Sequence, residues 1–183
     1  MTAPVSLYRQ VMGSDFELLA PELQAFHSMN GTVRMLGRCS VQGPHTSLGK
    51  LLGVIFALPR TTVETSLAFD LSADARQEIW KRHFPNRLMT SRMRVRNGVL
   101  VERLGPANLH FELKVDDCKL VMQLKGISFA GIRCPQFLVP SVVAEETASP
   151  GKLHFNVAAR LPVIGLLVAY KGFLHITAHE VAL

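Results

Sequence analysis

Three arginines at alternate positions, Arg92, Arg94 and Arg96, are the densest group of residues that could do chemistry. Alternate residues of an extended strand share one face, so the three guanidinium groups would point the same way. On the wall or at the mouth of a cavity, such a row could bind a carboxylate or phosphate in bidentate geometry. On an outer face it would be a solvated surface that protects a sheet edge. The sequence leaves both interpretations open.

A second group of candidates comprises Trp80, Arg82 and Glu102. Trp80 and Arg82 share one strand face and could form the floor of a binding site through a cation–π contact, although a tryptophan also serves as a core anchor. Glu102 follows two apolar residues and is a candidate general acid or base if burial raises its pKa. A cross-strand ion pair is the alternative for Glu102.

The histidines and cysteines do not predict a metal site. His175 and His179 have the spacing of one helical turn, but no third ligand cluster accompanies them. The three cysteines, Cys39, Cys118 and Cys134, lack a short metal-type spacing and are interpreted as reduced, mostly buried residues. No nucleophile elbow, zinc-protease, phosphate-loop or dinucleotide motif occurs, so we predict no cofactor and leave open whether the protein is an enzyme.

The positive charge of the chain is concentrated in one segment. Residues 76–103 contain eight bases and two acids, a difference equal to the whole net charge of +6. No aromatic residues alternate with the arginines of the strand at 87–96, which makes it a poor platform for single-stranded nucleic acid, and we predict no nucleic-acid partner. Peripheral contact with an anionic membrane or another partner stays open.

Hydrophobic periodicity predicts a mainly β fold with a few helices. Residues 1–30 have helical patterns, 32–41 form a strand, and 47–58 form a short helix despite two glycines. From residue 61 onward, apolar and polar residues alternate, as is typical of strands with one buried face. The alternation is most regular from Leu109 to Val115.

Turn residues such as Asn97-Gly98 and Pro150-Gly151 separate these runs, which together predict about nine or ten antiparallel strands. So many short strands must form a sandwich or a barrel, because an open sheet would leave its edges exposed. We expect an antiparallel barrel or strongly curved half-barrel, like lipocalins and fatty-acid-binding proteins. A sheet wrapped on a helix is the alternative.

Length and hydropathy predict one domain over residues 1–183. The apolar runs at 51–58 and 161–170 are shorter than the roughly 20 residues of a membrane-spanning helix. Residues 1–10 lack a signal-peptide pattern, so we predict a cytoplasmic location.

The order of several glycines, prolines and aromatic residues resembles a bacterial domain family of unknown function, which occurs alone or fused behind a saccharopine-dehydrogenase-like oxidoreductase. The matching residues are Leu7-Tyr8, Phe26-His27, Trp80-x-Arg82-x-Phe84, Leu100-x-Glu102-x-x-Gly105-Pro106, Pro135 with Pro140, Leu161-Pro162-x-x-Gly165-Leu166 and Tyr170-x-Gly172. They span nearly the whole chain, with Phe173 where many relatives would have tryptophan. The resemblance implies no established activity.

The leading functional prediction is a barrel interior that binds an apolar or amphiphilic small molecule with an acidic head group. The predicted ligand-binding residues are Trp80, Arg82, Arg92, Arg94, Glu102 and Tyr170. The alternative is a cavity enzyme, such as a cyclase, isomerase or hydrolase, that acts on a hydrophobic intermediate with Glu102 or a histidine as acid or base. The third hypothesis is a peripheral module that binds an anionic membrane or a partner.

Overall fold

The chain begins with two short helices whose ends follow their local sequence. The computed structural model describes residues 5–56, 58–59, 61–85, 87–162, 164–176 and the backbone of 179–180. Helix α1 (Leu7–Met12) begins where the Ser6 hydroxyl accepts a hydrogen bond from the Arg9 amide. A 3-10 turn (Gly13–Leu18) leads to α2 (Pro21–Phe26), whose first residue is a proline. Both helices lie within the predicted helical segment 1–30.

Twelve strands and a third helix follow in the described residues. The strands are β1 (Gly31–Gln42), β2 (Val63–Ala73), β3 (Glu78–Phe84), β4 (Arg87–Arg96), β5 (Val99–Leu104), β6 (Ala107–Asp116), β7 (Lys119–Phe129), β8 (Ile132–Arg133), β9 (Ser141–Ser149), β10 (Lys152–Leu161), β11 (Gly165–His175) and β12 (His179–Glu180). Helix α3 (Ser47–Ile55) connects β1 to β2, and a 3-10 turn (Gln136–Leu138) precedes β9. The helix predicted at 47–58 therefore ends three residues early.

Ten of these strands form a closed antiparallel barrel. Neighbours in sequence pair from β1 to β7, β9 joins β7, and β10 and β11 follow. Pairing of β11 with β1 closes the barrel, while β8 adds to β7 and β12 to β1. Closure leaves the ten strands without free edges. The prediction of a barrel with nine or ten strands is confirmed, and the alternative of a sheet wrapped on a helix is wrong.

Two glycines allow the closing strands to approach. Gly172 of β11 lies opposite Cys39 of β1, and a β-carbon on it would meet the backbone oxygen of Arg38. Gly37 of β1 lies opposite Leu174, and a β-carbon there would meet the backbone of Phe173. Larger residues at these two positions would force the two strands apart.

The two ends of the barrel differ. At the helix-pair end, α1 and α2 insert buried side chains into the interior, where Phe26 packs edge-on against the ring of Trp80. The Tyr8 hydroxyl there lies 3.5 Å from the Met93 sulfur. The opposite end, here called the α3 end, consists of the described residues 43–56, 58–59, 61–62, 85, 105–106, 130–140, 162 and 164. The core therefore lies inside the barrel and below the helix pair.

Candidate functional site

A cavity of about 120 Å³ lies inside the barrel. Its wall is mostly apolar, with side chains from most of the strands and from the segment after α3. The polar and amphipathic members of the wall are Trp80, Arg82, Glu102, Glu146 and Tyr170. An apolar cavity with a few convergent polar groups is the usual form of a small-molecule site.

Arg82 and Glu102 form the charged centre of this wall. Both are less than a tenth exposed, and the Arg82 Nη1 atom lies 3.9 Å from Glu102 Oε1. This distance allows attraction between the charges but is too long for a hydrogen bond. Arg82 Nη1 donates instead to the Ser91 hydroxyl at 3.1 Å. The guanidinium keeps further N–H donors, and the Glu102 carboxylate accepts no hydrogen bond from a described residue.

The ring of Trp80 packs against the guanidinium group of Arg82. The Arg82 guanidinium carbon lies 4.9 Å from the Trp80 ring centre and 5.9 Å from that of Phe69. Both distances fit a cation–π contact. Both interpretations of Trp80 apply, because it contacts Arg82 in the wall of the cavity and is also buried in the hydrophobic core.

Glu146 is held by a residue from outside the barrel. His27, which follows α2, is buried, and its Nε2 atom lies 2.7 Å from Glu146 Oε2. The Tyr8 ring packs on the other side of His27, with 3.7 Å between ring centres. A smaller void of about 30 Å³ shares Trp80, Arg82, Glu146, Val157 and Tyr170 with the main cavity. These five side chains thus stand between the two spaces.

Burial changes the acidity of three groups near the cavity. Desolvation raises the pKa of Glu78, although the charge of His27 and a hydrogen bond from Trp80 Nε1 at 2.9 Å oppose this effect. Desolvation also raises the pKa of the Tyr8 and Tyr170 phenols. Both tyrosines therefore remain protonated donors at neutral pH.

The structure separates the predicted site residues into two groups. Trp80, Arg82, Glu102 and Tyr170 meet in the cavity wall. Arg92 and Arg94 point outward, because the inward positions of β4 are occupied by Met89, Ser91, Met93 and Val95. They line an outer groove of about 400 Å³ with Arg96 and Arg103. Of the two interpretations of the arginine row, the outer face is the one observed.

Sequence reasoning missed several polar residues of the interior: Tyr8, His27, Glu78, Ser91 and Glu146. Strand parity could have revealed two of them. Glu78 shares the inner face of β3 with Trp80, and Glu146 shares the inner face of β9 with Ala144, so each acid lies on a face that also carries core residues. For His27 no such signal exists, because the end of a helix has no comparable parity.

The cysteines and C-terminal histidines are dispersed. Cys39 is buried and Cys134 half-buried, whereas Cys118 is exposed, so the interpretation as mostly buried fails for Cys118. His175 ends strand β11, and the side chain of His179 lies outside the described residues. The described part of the chain contains no group of three side chains that could hold a metal ion. No described helix is long and apolar enough to cross a membrane.

Comparison with known proteins identifies a family without an assigned activity. No curated protein matches the chain. A similar solved structure is the crystal structure of Rv2717c from M. tuberculosis, with 12% identity, a TM-score of 0.43, and coverage of 86% of this chain and 98% of that chain. A family model matches residues 19–174. The chain belongs to that family, described as a domain of unknown function (DUF4166).

Proposed function

We propose that the barrel interior binds an apolar or amphiphilic small molecule. The observation that carries this proposal is the Arg82–Glu102 pair, which brings unused donors and acceptors into an apolar cavity. Buried polar groups without partners are costly, and a ligand head group that bonds to both residues would remove this cost.

The charges of the wall favour a particular kind of head group. Two carboxylates, Glu102 and Glu146, line the cavity together with Arg82, so a further full negative charge would be repelled. A group that accepts from Arg82 and donates to Glu102 fits better, as a protonated carboxylic acid or a hydroxyl beside a carbonyl would do. This proposal modifies the expected acidic head group, since Arg92 and Arg94 lie outside the cavity.

The volume of the cavity limits the enclosed part of the ligand. A cavity of about 150 Å³ holds a benzene-sized molecule, and the present cavity of about 120 Å³ is somewhat smaller, so it encloses a short chain or a ring no larger than benzene. A longer tail would extend toward the α3 end, where Phe56, Leu58 and Pro140 line the cavity.

The single tryptophan provides a direct test, because Trp80 lies in the cavity wall. Fatty acids and the matching alcohols of increasing chain length would be titrated at pH 5 and pH 8 while Trp80 emission is recorded. We expect saturable changes, with the acids losing affinity at pH 8 as they ionise. Native mass spectrometry before and after denaturation would identify any molecule retained from the expression host.

A pair of variants on one strand separates cavity binding from surface binding. Ala144→Phe fills the cavity, whereas Val143→Phe adds the same ring at the exposed neighbouring position. We expect the first variant to abolish the saturable change and the second to preserve it. Equal binding by both variants would contradict an interior site.

The contact between His27 and Glu146 favours a second candidate, a cavity enzyme. Glu146 lines the cavity while His27 orients it from behind, which is the arrangement of a positioned general base. For the hydrolase form of this candidate, p-nitrophenyl esters of short fatty acids would be the probe. Glu102→Gln and Glu146→Gln should lower the release of p-nitrophenol, and Glu112→Gln on the outer face should not. Equal rates for all three variants would count against catalysis of this type.

A further inference from the structure

Helix α3 has an unusual distribution of side chains. Its buried positions are Gly49 and Gly53, whereas Leu48, Leu51, Val54 and Ile55 are about half exposed. A surface helix normally turns its large apolar side chains toward the protein. In α3 the two glycines and Leu52 face the barrel, and the other four large apolar residues face outward.

The same end of the barrel carries further exposed apolar residues. Ile132, Phe137 and Leu138, which lie between β7 and β9, are among the most exposed large apolar side chains of the described residues. They lie at the same end of the barrel as the outward side chains of α3, and these exposed residues together are here called the apolar surface of the α3 end. Clustered exposed apolar residues mark an interaction surface.

The charged side chains of the connecting residues at this end are all of one sign. The described residues of the α3 end contain no aspartate or glutamate, but they contain Lys50 and Arg133. The connections at the opposite end include Asp15, Glu17 and Asp74. The connecting residues of the α3 end therefore carry positive charge only, and the acid next to them in sequence is exposed Glu64, the second residue of β2.

The outer arginine groove reaches the same end. Arg92 lies directly opposite Arg103 on the outer face of β4 and β5, and like charges in this position repel each other. Neither forms an ion pair with a described residue. Pro106 and Ala130, from turns of the α3 end, also line the groove. The groove thus extends to the α3 end and contains Arg92 and Arg103, which have no acidic partner among the described residues.

We propose that the α3 end docks on a bilayer that contains anionic lipids. The outward side chains of α3 and Ile132, Phe137 and Leu138 insert between the lipids, while Lys50, Arg92, Arg103 and Arg133 contact anionic head groups. In this orientation the cavity side chains Phe56 and Pro140 face the membrane. This inference goes beyond ligand binding in the interior and does not depend on it.

A second copy of the chain fits this surface less well. A symmetric dimer would place the same surface of each copy against the other. The bases would then meet bases without a single acid from the connecting segments. An anionic bilayer complements both the apolar and the charged residues.

Vesicle sedimentation tests the proposal with the whole chain. We expect binding to phosphatidylcholine vesicles with about 30% phosphatidylglycerol, and binding should fall at least fivefold without the anionic lipid. Binding should also fall when salt is raised from about 0.05 to 0.5 M. The double variant Arg92→Gln/Arg103→Gln should lower the partition coefficient by about five- to twentyfold. Failure of the chain to bind anionic vesicles would overturn the proposal.

Matched variants at apolar positions distinguish a specific role of α3 in vesicle binding from an effect of surface hydrophobicity in general. Leu51→Glu/Val54→Glu changes the outward face of α3, and Leu36→Glu/Val99→Glu makes the same change at exposed positions on the barrel wall. We expect the first pair to abolish vesicle binding and the second to preserve it, with circular dichroism to verify folding. If the α3 pair misfolds, the single variant Leu51→Ser replaces it. Equal vesicle binding by the two double variants would overturn the proposal. It would also be overturned if the unsubstituted chain were a dimer in sedimentation equilibrium and the α3 double variant were a monomer.

Discussion

His27 Nε2 lies 2.7 Å from Glu146 Oε2, and this contact joins the end of α2 to the inner face of β9. Both side chains are almost completely buried. The contact connects residues 119 positions apart in sequence and satisfies a carboxylate that would otherwise face an apolar interior. It also fixes the helix pair over one end of the barrel.

Removal of His27 should destabilise the protein strongly. His27→Leu leaves Glu146 buried without its donor, which should lower the free energy of unfolding by about 3–5 kcal/mol in urea denaturation. The double variant His27→Leu/Glu146→Met removes both polar groups and should recover part of this loss. If the changes in the free energy of unfolding caused by the two single substitutions add up to that of the double variant, the residues do not interact in the folded state.

Glu78 should make the stability depend on pH. Its pKa is raised above the ordinary value of 4.5 in the folded protein, so the folded state binds more protons than the unfolded state. Stability should therefore fall as the pH rises from 4.5 through the folded pKa. Glu78→Gln, which cannot ionise but still accepts from Trp80, should melt at a higher temperature than the wild type at pH 8 and at a similar one near pH 4.

Glu112 provides a control for Glu78, because its pKa is shifted in the opposite direction. Hydrogen bonds from Lys125 and Lys114 lower the pKa of Glu112, so its contribution to stability is present above 4.5 and is lost as the pH falls through the folded pKa. Glu112→Gln should melt at a lower temperature than the wild type at pH 7, and the difference should shrink in acid. The same sign of effect for Glu78→Gln and Glu112→Gln would contradict this assignment.

The fold was largely predictable because strand parity is a local property. Each inward residue of β6 from Leu109 to Val115 follows from simple alternation, and the same parity placed Trp80 and Arg82 together. The pairing of β1 with β11 has no local signal, because it joins segments more than 120 residues apart. Glycines 37 and 172 acquire their role only after that pairing is known.

The site was less predictable because its polar contacts join distant strands and helices. Arg82 and Glu102 lie on β3 and β5, with β4 between them, and no sequence spacing encodes a 3.9 Å contact across an intervening strand. Arg92 and Arg94 were predicted to bind the ligand but lie on the outer face of β4. Alternation shows that residues share a face, but it does not show which face is inside.

The closing strands should not tolerate a side chain at Gly172. Gly172→Ala places a methyl group against the backbone of Arg38 and Cys39, which cannot rotate away. We expect a loss of about 1–3 kcal/mol in the free energy of unfolding. Gly126→Ala in β7 is the control, because its new methyl group has no neighbour within 4 Å. Equal unfolding midpoints for both variants would show that the strands can move apart without cost.

The three cysteines should react with thiol reagents in the order of their exposure. Burial raises the pKa of the Cys39 thiol to about 11, so very little thiolate is present at pH 8. Iodoacetamide should label exposed Cys118 first, half-buried Cys134 more slowly, and Cys39 only after unfolding. Peptide mass spectrometry would locate each label. Early labelling of Cys39 would contradict the pairing of β1 with β11 that closes the barrel.

Arg87 should control how quickly α3 moves. Its Nη2 atom donates to the carbonyl of Val54 at 2.9 Å, near the carboxyl end of α3, where carbonyl groups lack partners within the helix. Arg87→Ala removes this contact and frees the carboxyl end of α3, which precedes the cavity residues Phe56 and Leu58.

If α3 covers the route into the cavity, Arg87→Ala should accelerate dissociation of a fluorescent fatty acid severalfold in stopped-flow measurements. Its equilibrium affinity should change less than its dissociation rate, because Arg87 does not line the cavity. Arg38→Ala on the outer face of β1 is the control and should leave both quantities unchanged. Identical dissociation rates for the two variants would mean that the ligand enters the barrel by another route.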